Sequence, residues 1–203
     1  MKLQEHLPDR IVVGKRSYRV DLDFRRVLSM MEIMDRDDLM PEARDYLAIR
    51  CVMKRPPKDA SAAMNILRSL LFDRGRRKAR SGDDGSHPKL TDFVQDADMI
   101  RSAFRQVYGI NLYRDRLHWL EFTELLHCLP EGNRYTEVIG IRAKPMPAPT
   151  KYNEAERQNL AQAKRIYALE LDDQESAVQI DRALTSLASV LISLSDQKGG
   201  ETQ

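Results

Sequence analysis

A chain of 203 residues carries 33 Lys and Arg against 31 Asp and Glu, a formal net charge of +2. That balance gives no case for a broad nucleic-acid or membrane surface. Two cysteines are too few for a disulfide framework, and no apolar run approaches the ~20 residues that cross a bilayer.

The N-terminal sequence MKLQEHLPDR lacks the apolar region of a signal peptide. With Cys51 and Cys128 as lone thiols, this sets the expectation of a protein made and used in a reducing cytoplasm. The length suits one domain with a real core plus an appendage.

Ile11–Val13, Gly14-Lys15-Arg16 and Ser17–Val20 predict a short β-hairpin, with β-branched residues flanking a Gly-containing turn. A lone hairpin is marginal, so the helices that follow must cover it. Phe24, Val27, Leu28, Met31 and Met34 fall at helical spacing, with Asp21 or Asp23 near the start. Pro41 suits the first turn of a second helix bearing Tyr46, Leu47, Ile49, Cys51, Val52 and Met53, which Pro56-Pro57 ends. A third helix carries Ala60, Ala63, Met64, Leu67, Leu70 and Leu71, opened by Asp59 or Ser61.

Asp73–Lys89 (DRGRRKARSGDDGSHPK) is polar and aperiodic, and reads as an exposed loop within 73–91. Arg74, Arg76, Arg77, Lys78 and Arg80 offer a phosphate-binding patch. The favoured reading is a solvated loop partly neutralised by Asp83 and Asp84, because no aromatic is interleaved for base stacking.

The stretch Asp92–Arg142 has the densest apolar patterning and holds the one Trp. Asp92 with Gln95 resembles a capping box. Met99, Ile100, Ala103, Phe104, Val107 and Tyr108 share one side of the helix that follows; Asp98, Arg101 and Arg105 lie opposite, and Gly109 is its left-handed cap. A further helix is expected from about Asp115 to Leu129, stopped by Pro130. Trp119, Phe122, Leu125, Leu126 and Leu129 form its main face, while Leu117 and Leu120 fall outside it, so it should pack on more than one side. Tyr135–Arg142 fits strand or helix, because Val138, Ile139 and Ile141 do not choose a period.

Lys144–Thr150 alternates prolines, which favour a stiff extended spacer. It sets the domain boundaries: a hairpin-plus-helices core over 1–142, a spacer over 143–152, and a C-terminal helical hairpin with a frayed tail over 153–203. Asn153 and Glu156 make a capping pair for a stripe of Leu160, Ala163, Tyr167 and Leu171. Ala177, Ile180, Leu184, Leu187, Leu191 and Leu194 then follow heptad spacing. That stripe either folds back on its own chain or offers a seam to a second copy or a partner helix.

Chemical candidates are weak. His118 sits beside Trp119 and reads as a satisfied core histidine. Adjacent His127 and Cys128 diverge around a helix and do not face one metal. Asp37-Asp38, Asp83-Asp84 and Asp172-Asp173 read as caps and solvated turns. No spacing matches a metal, nucleotide or nucleophile motif. The expectation is no catalytic residue, no metal and no cofactor.

Three blocks, QDADMIRSAFRQVYGINL, LHWLEFTELLHCLPEGNRYTEVIGIR and KYNEAERQNLAQAKRIYAL, in this order and spacing, resemble the bacteriophage gene-product-fifteen family of long-tailed phages. The resemblance covers about three quarters of the chain and assigns no functional residue. It implies a tail assembly protein, a chaperone of the tape measure protein, acting in the host cytoplasm and absent from the mature virion. The tail tube protein is a further implied partner. A structural component of the tail or tail tip is the alternative, and a nucleic-acid binder using 74–80 the second. Taken with the patterning, the expected fold is mostly α (α+β): a small N-terminal hairpin, about seven helices, and a C-terminal helical hairpin. Ile180, Leu184, Leu187 and Leu191 are the expected partner contact, with self-association through the same heptad.

Overall fold

The computed structural model describes residues 6–72 and 89–170. The basic cluster of residues 74–80 and the heptad stripe with Ile180, Leu184, Leu187 and Leu191 lie outside them. The chain divides into two units, Met1–Pro145 and Met146–Gln203.

The first unit begins with an antiparallel hairpin, β1 (Arg10–Val13) and β2 (Arg16–Arg19), in the register Val13↔Arg16 and Ile11↔Tyr18. Only two residues connect the strands. Gly14 takes φ +60° while Lys15 does not, which is the pattern of a type II′ turn with glycine first. Ile11 turns inward and is buried, while Val12 is exposed, so one face is covered and the other is wet.

Seven helices lie among the described residues, so the fold is mostly α with a small β-hairpin. Helix α1 (Phe24–Met34) is opened by Asp23, whose carboxylate accepts the Arg25 N–H at 3.1 Å. It packs on α2 (Pro41–Val52), which packs on α3 (Ala60–Phe72), which in turn meets β1. Asp59 caps α3 by accepting the Ala62 N–H at 2.9 Å. These helices bury Val27, Met30, Ile49, Met64 and Leu67 completely or nearly so. Met30 was outside the predicted stripe of α1.

The second half of this unit contributes α4 (Ala97–Tyr108), α5 (Trp119–His127) and α6 (Arg134–Ala143). Gly109 ends α4 at φ +69°, and the Ile110 N–H closes back on the Phe104 carbonyl at 3.3 Å. The stretch that fitted either period is helical: Asn133 caps α6 by accepting the Thr136 N–H at 3.1 Å. Phe122 of α5 stacks between Phe24 of α1 (4.8 Å between ring centres) and Phe104 of α4 (5.2 Å), joining the two halves into one core. Leu117 and Leu120 are both buried, so this region does pack on more than one side.

Three helix starts differ from expectation. The helix expected from Asp115 begins at Trp119, because the chain at His118 is extended and bridges to Asp23 at the entry to α1. Trp119 donates to the Leu22 carbonyl at 2.7 Å, and Phe24 donates to the Leu117 carbonyl at 3.0 Å. Asp92 accepts the N–H groups of Val94 and Gln95, but it caps only a turn; the N-cap of α4 is Asp96. In the second unit, α7 (Glu154–Ile166) follows Asn153, whose side chain makes no cap bond to the helix. Asn153 instead reaches back, accepting the Thr150 N–H and donating to the Ala148 carbonyl, both at 2.8 Å. It fastens the end of the spacer. Leu160 is the buried residue of α7.

Candidate functional site

A groove of about 930 Å³ opens beside the hairpin, between β2, the end of α2 and the segment leading into α5. Tyr18, Arg19, Lys54, Arg55, Arg116 and His118 are among its walls.

At one end lies an ionic cluster built from two distant parts of the sequence. Arg116 donates to both oxygens of Asp21, at 2.8 and 3.0 Å, and to Asp23 at 3.3 Å, across 95 and 93 residues respectively. Arg26 pairs with Asp21 at 3.0 Å and donates to the Cys51 carbonyl at 2.9 Å. Arg25 pairs with Asp23 at 3.1 Å. Burial alone would push the Asp23 carboxyl up. Hydrogen bonds from the Arg25 side chain and backbone, with the charges of Arg25 and Arg116, outweigh it and hold the group below its ordinary value. Asp23 is therefore a fixed anion that also caps α1.

His118 is half-buried and has both ring nitrogens engaged. Nδ1 accepts the Leu120 N–H at 3.1 Å, capping α5, and Nε2 lies 3.1 Å from the Pro8 carbonyl, which makes it the donor there. It is a satisfied histidine, as expected, but at a helix start. His127 is engaged by the Thr123 carbonyl at 2.6 Å, and Cys128 is exposed and free. Asp37 lies 3.8 Å from Arg44. Among the described residues no group of three or more His, Cys, Asp or Glu is placed to hold a metal.

The backbone of β2 gives the groove a second property. In a two-residue hairpin the pair flanking the turn exchanges its hydrogen bonds, and bonding then alternates along the ladder. Arg16 and Tyr18 thus face β1, and the Val20 N–H continues the pattern by donating to the Asp9 carbonyl at 2.8 Å. Ser17, Arg19 and Asp21 point their backbone groups the other way. The Asp21 N–H meets the Val52 carbonyl at 2.8 Å, where the chain leaves α2 through the extended Met53. Ser17 and Arg19 have no backbone partner among the described residues, since the sheet has two strands only. Both line the groove.

Beyond the hairpin and His118, the groove was not singled out in the sequence. Asp21 and Asp23 signalled only a helix start, and Arg116 signalled nothing; the fold alone brings them together. No helix among the described residues is long and apolar enough to cross a membrane.

The groove thus sets an open strand edge beside a cluster of paired charges. A family model described as Bacteriophage Gp15 protein matches residues 3–169. No curated protein and no solved structure matches the chain.

Proposed function

The chain belongs to the Bacteriophage Gp15 protein family, and from that premise we propose that it is a non-enzymatic tail assembly chaperone that binds the tape measure protein until the tail tube polymerises. The family match over residues 3–169 carries this reading. A tape measure protein is long, helical and partly apolar, so it is prone to aggregate before the tube encloses it. A chaperone that covers apolar helix faces reversibly keeps it soluble, and tube subunits displace the chaperone by competing for the same faces. The heptad residues Ile180, Leu184, Leu187 and Leu191 are the proposed contact, because a stripe at that spacing presents an apolar seam to a partner helix. The site of action is the host cytoplasm, and the finished virion lacks the chain.

The test is co-expression with the tape measure protein encoded nearby, read by pull-down and size-exclusion chromatography. A soluble complex that forms only with this chain present is the expected result. A tape measure protein that stays insoluble or unbound overturns the reading, as does this chain at stoichiometric amounts in purified virions. Leu184→Asp with Leu187→Asp should abolish the complex; full retention by a folded double variant removes the seam from the proposal.

A further inference from the structure

We propose that the groove beside β2 binds an extended, acidic polypeptide segment, which adds to the hairpin as a third strand. Three observations converge on it. The outer edge of β2 is a ready template: the Ser17 and Arg19 backbone groups face the groove without a partner among the described residues. The chain itself makes the first rung of this ladder, from the Asp21 N–H to the Val52 carbonyl, and then turns away, so an incoming strand continues an existing register.

Charge selects the occupant. The groove wall holds five cations (Arg19, Arg26, Lys54, Arg55, Arg116) against three carboxylates (Asp9, Asp21, Asp23), an excess of two positive charges. Arg26 and Arg116 are spent on Asp21 and Asp23. Arg19, Lys54 and Arg55 are exposed and have no carboxylate partner among the described residues. Residues opposite each other on neighbouring strands sit about 5 Å apart, so an acidic side chain facing Arg19 pairs with it. A second copy of β2 is a poor occupant, because it brings Arg16 and Arg19 and no carboxylate to set against Arg19. The fixed anions at Asp21 and Asp23 likewise disfavour a polyphosphate backbone, which has no means of avoiding them. The cations on this edge therefore disfavour self-pairing and favour an acidic strand.

The site is distinct from the heptad seam and does not depend on the tape measure reading, so its test uses only the purified full chain. The probe is a fluorescein-labelled octapeptide of alternating glutamate and valine, followed by anisotropy, with its lysine–valine analogue as control. Glutamates then share the face of Arg19, and valines share the face of Tyr18. The acidic peptide should bind at least about ten-fold more tightly than the basic one. Ser17→Pro removes an outward N–H without touching a β1 bond and should cost roughly ten-fold, whereas Ser17→Ala should change little. Arg19→Glu with Lys54→Glu should reverse the preference between peptides. Amide resonances of Ser17 and Arg19 in the unaltered chain should shift on binding, which covers the case of a misfolded variant. Equal binding of the two peptides overturns the proposal. So does no binding of the acidic one, or peptide-induced shifts that spare Ser17 and Arg19.

Discussion

Asp96 and Arg142 stand 46 residues apart and meet in a two-pronged ion pair at 2.7 and 2.9 Å, with the Asp96 side chain wholly buried. Arg142 also donates to the Leu90 carbonyl at 2.8 Å, and Asp96 also accepts the Asp92 N–H at 3.0 Å. The pair fastens the start of α4 to the end of α6, and so joins two of the three blocks by which the family is recognised. It is a fork-on-carboxylate geometry that lysine cannot reproduce.

Removing one partner leaves a buried charge without compensation, which costs far more than the pair contributes net. Arg142→Ala should destabilise the protein by about 3–5 kcal/mol. Asp96→Ala combined with Arg142→Ala should cost less than the two single changes summed, because neither charge is then stranded. Urea denaturation of the four proteins in the cycle measures this.

The depressed Asp23 carboxyl predicts an acid limb of known sign. A group whose folded pKa lies below its unfolded value stabilises the fold above that value, and the contribution vanishes as pH falls through the folded pKa. For Asp23 the window begins near the ordinary 3.8 and runs downward. Asp23→Asn keeps a capping oxygen but loses the charge facing Arg25 and Arg116. It should cost about 1–3 kcal/mol at neutral pH, and the difference from the parent should shrink below about pH 4. Denaturation midpoints from neutral to strongly acidic pH check both.

Phe122 is 2% exposed and stacks between two other rings. Phe122→Ala should cost about 3–5 kcal/mol, and Phe122→Leu distinctly less, because leucine fills most of the cavity but restores no stacking. Calorimetric unfolding of both variants separates the effect of side-chain volume from that of ring stacking.

Local signals carried the fold where they were strong. Asp23, Pro41, Asp59 and Gly109 mark helix ends by chemistry confined to one turn, and each does so in the structure. Signals failed where the deciding partner lies far away in sequence. Nothing near Asp115 says that the helix waits until Trp119, because the partners of Leu117 and Trp119 are Phe24 and Leu22. Val138, Ile139 and Ile141 left the period open, and the cap at Asn133 settles it as a helix. The groove was illegible for the same reason: Arg116 becomes informative only beside Asp21 and Asp23, and the open edge of β2 follows from a hydrogen-bond parity that composition does not encode.

The pairing of residues 22–24 with 117–119 also sets an order of events during synthesis. The bridge between Asp23 and His118 spans almost half of the chain. At about 5–20 residues per second, a ribosome needs roughly 5–20 seconds to travel from one side of it to the other. Through that interval the hairpin and the first three helices exist without Phe122, without the Leu117 carbonyl that receives the Phe24 amide, and without Arg116 on its two carboxylates. The earliest part of the protein to be made is thus among the last to be completed, and a nascent chain stalled before residue 116 presents its unfinished apolar face to whatever else the cell is translating.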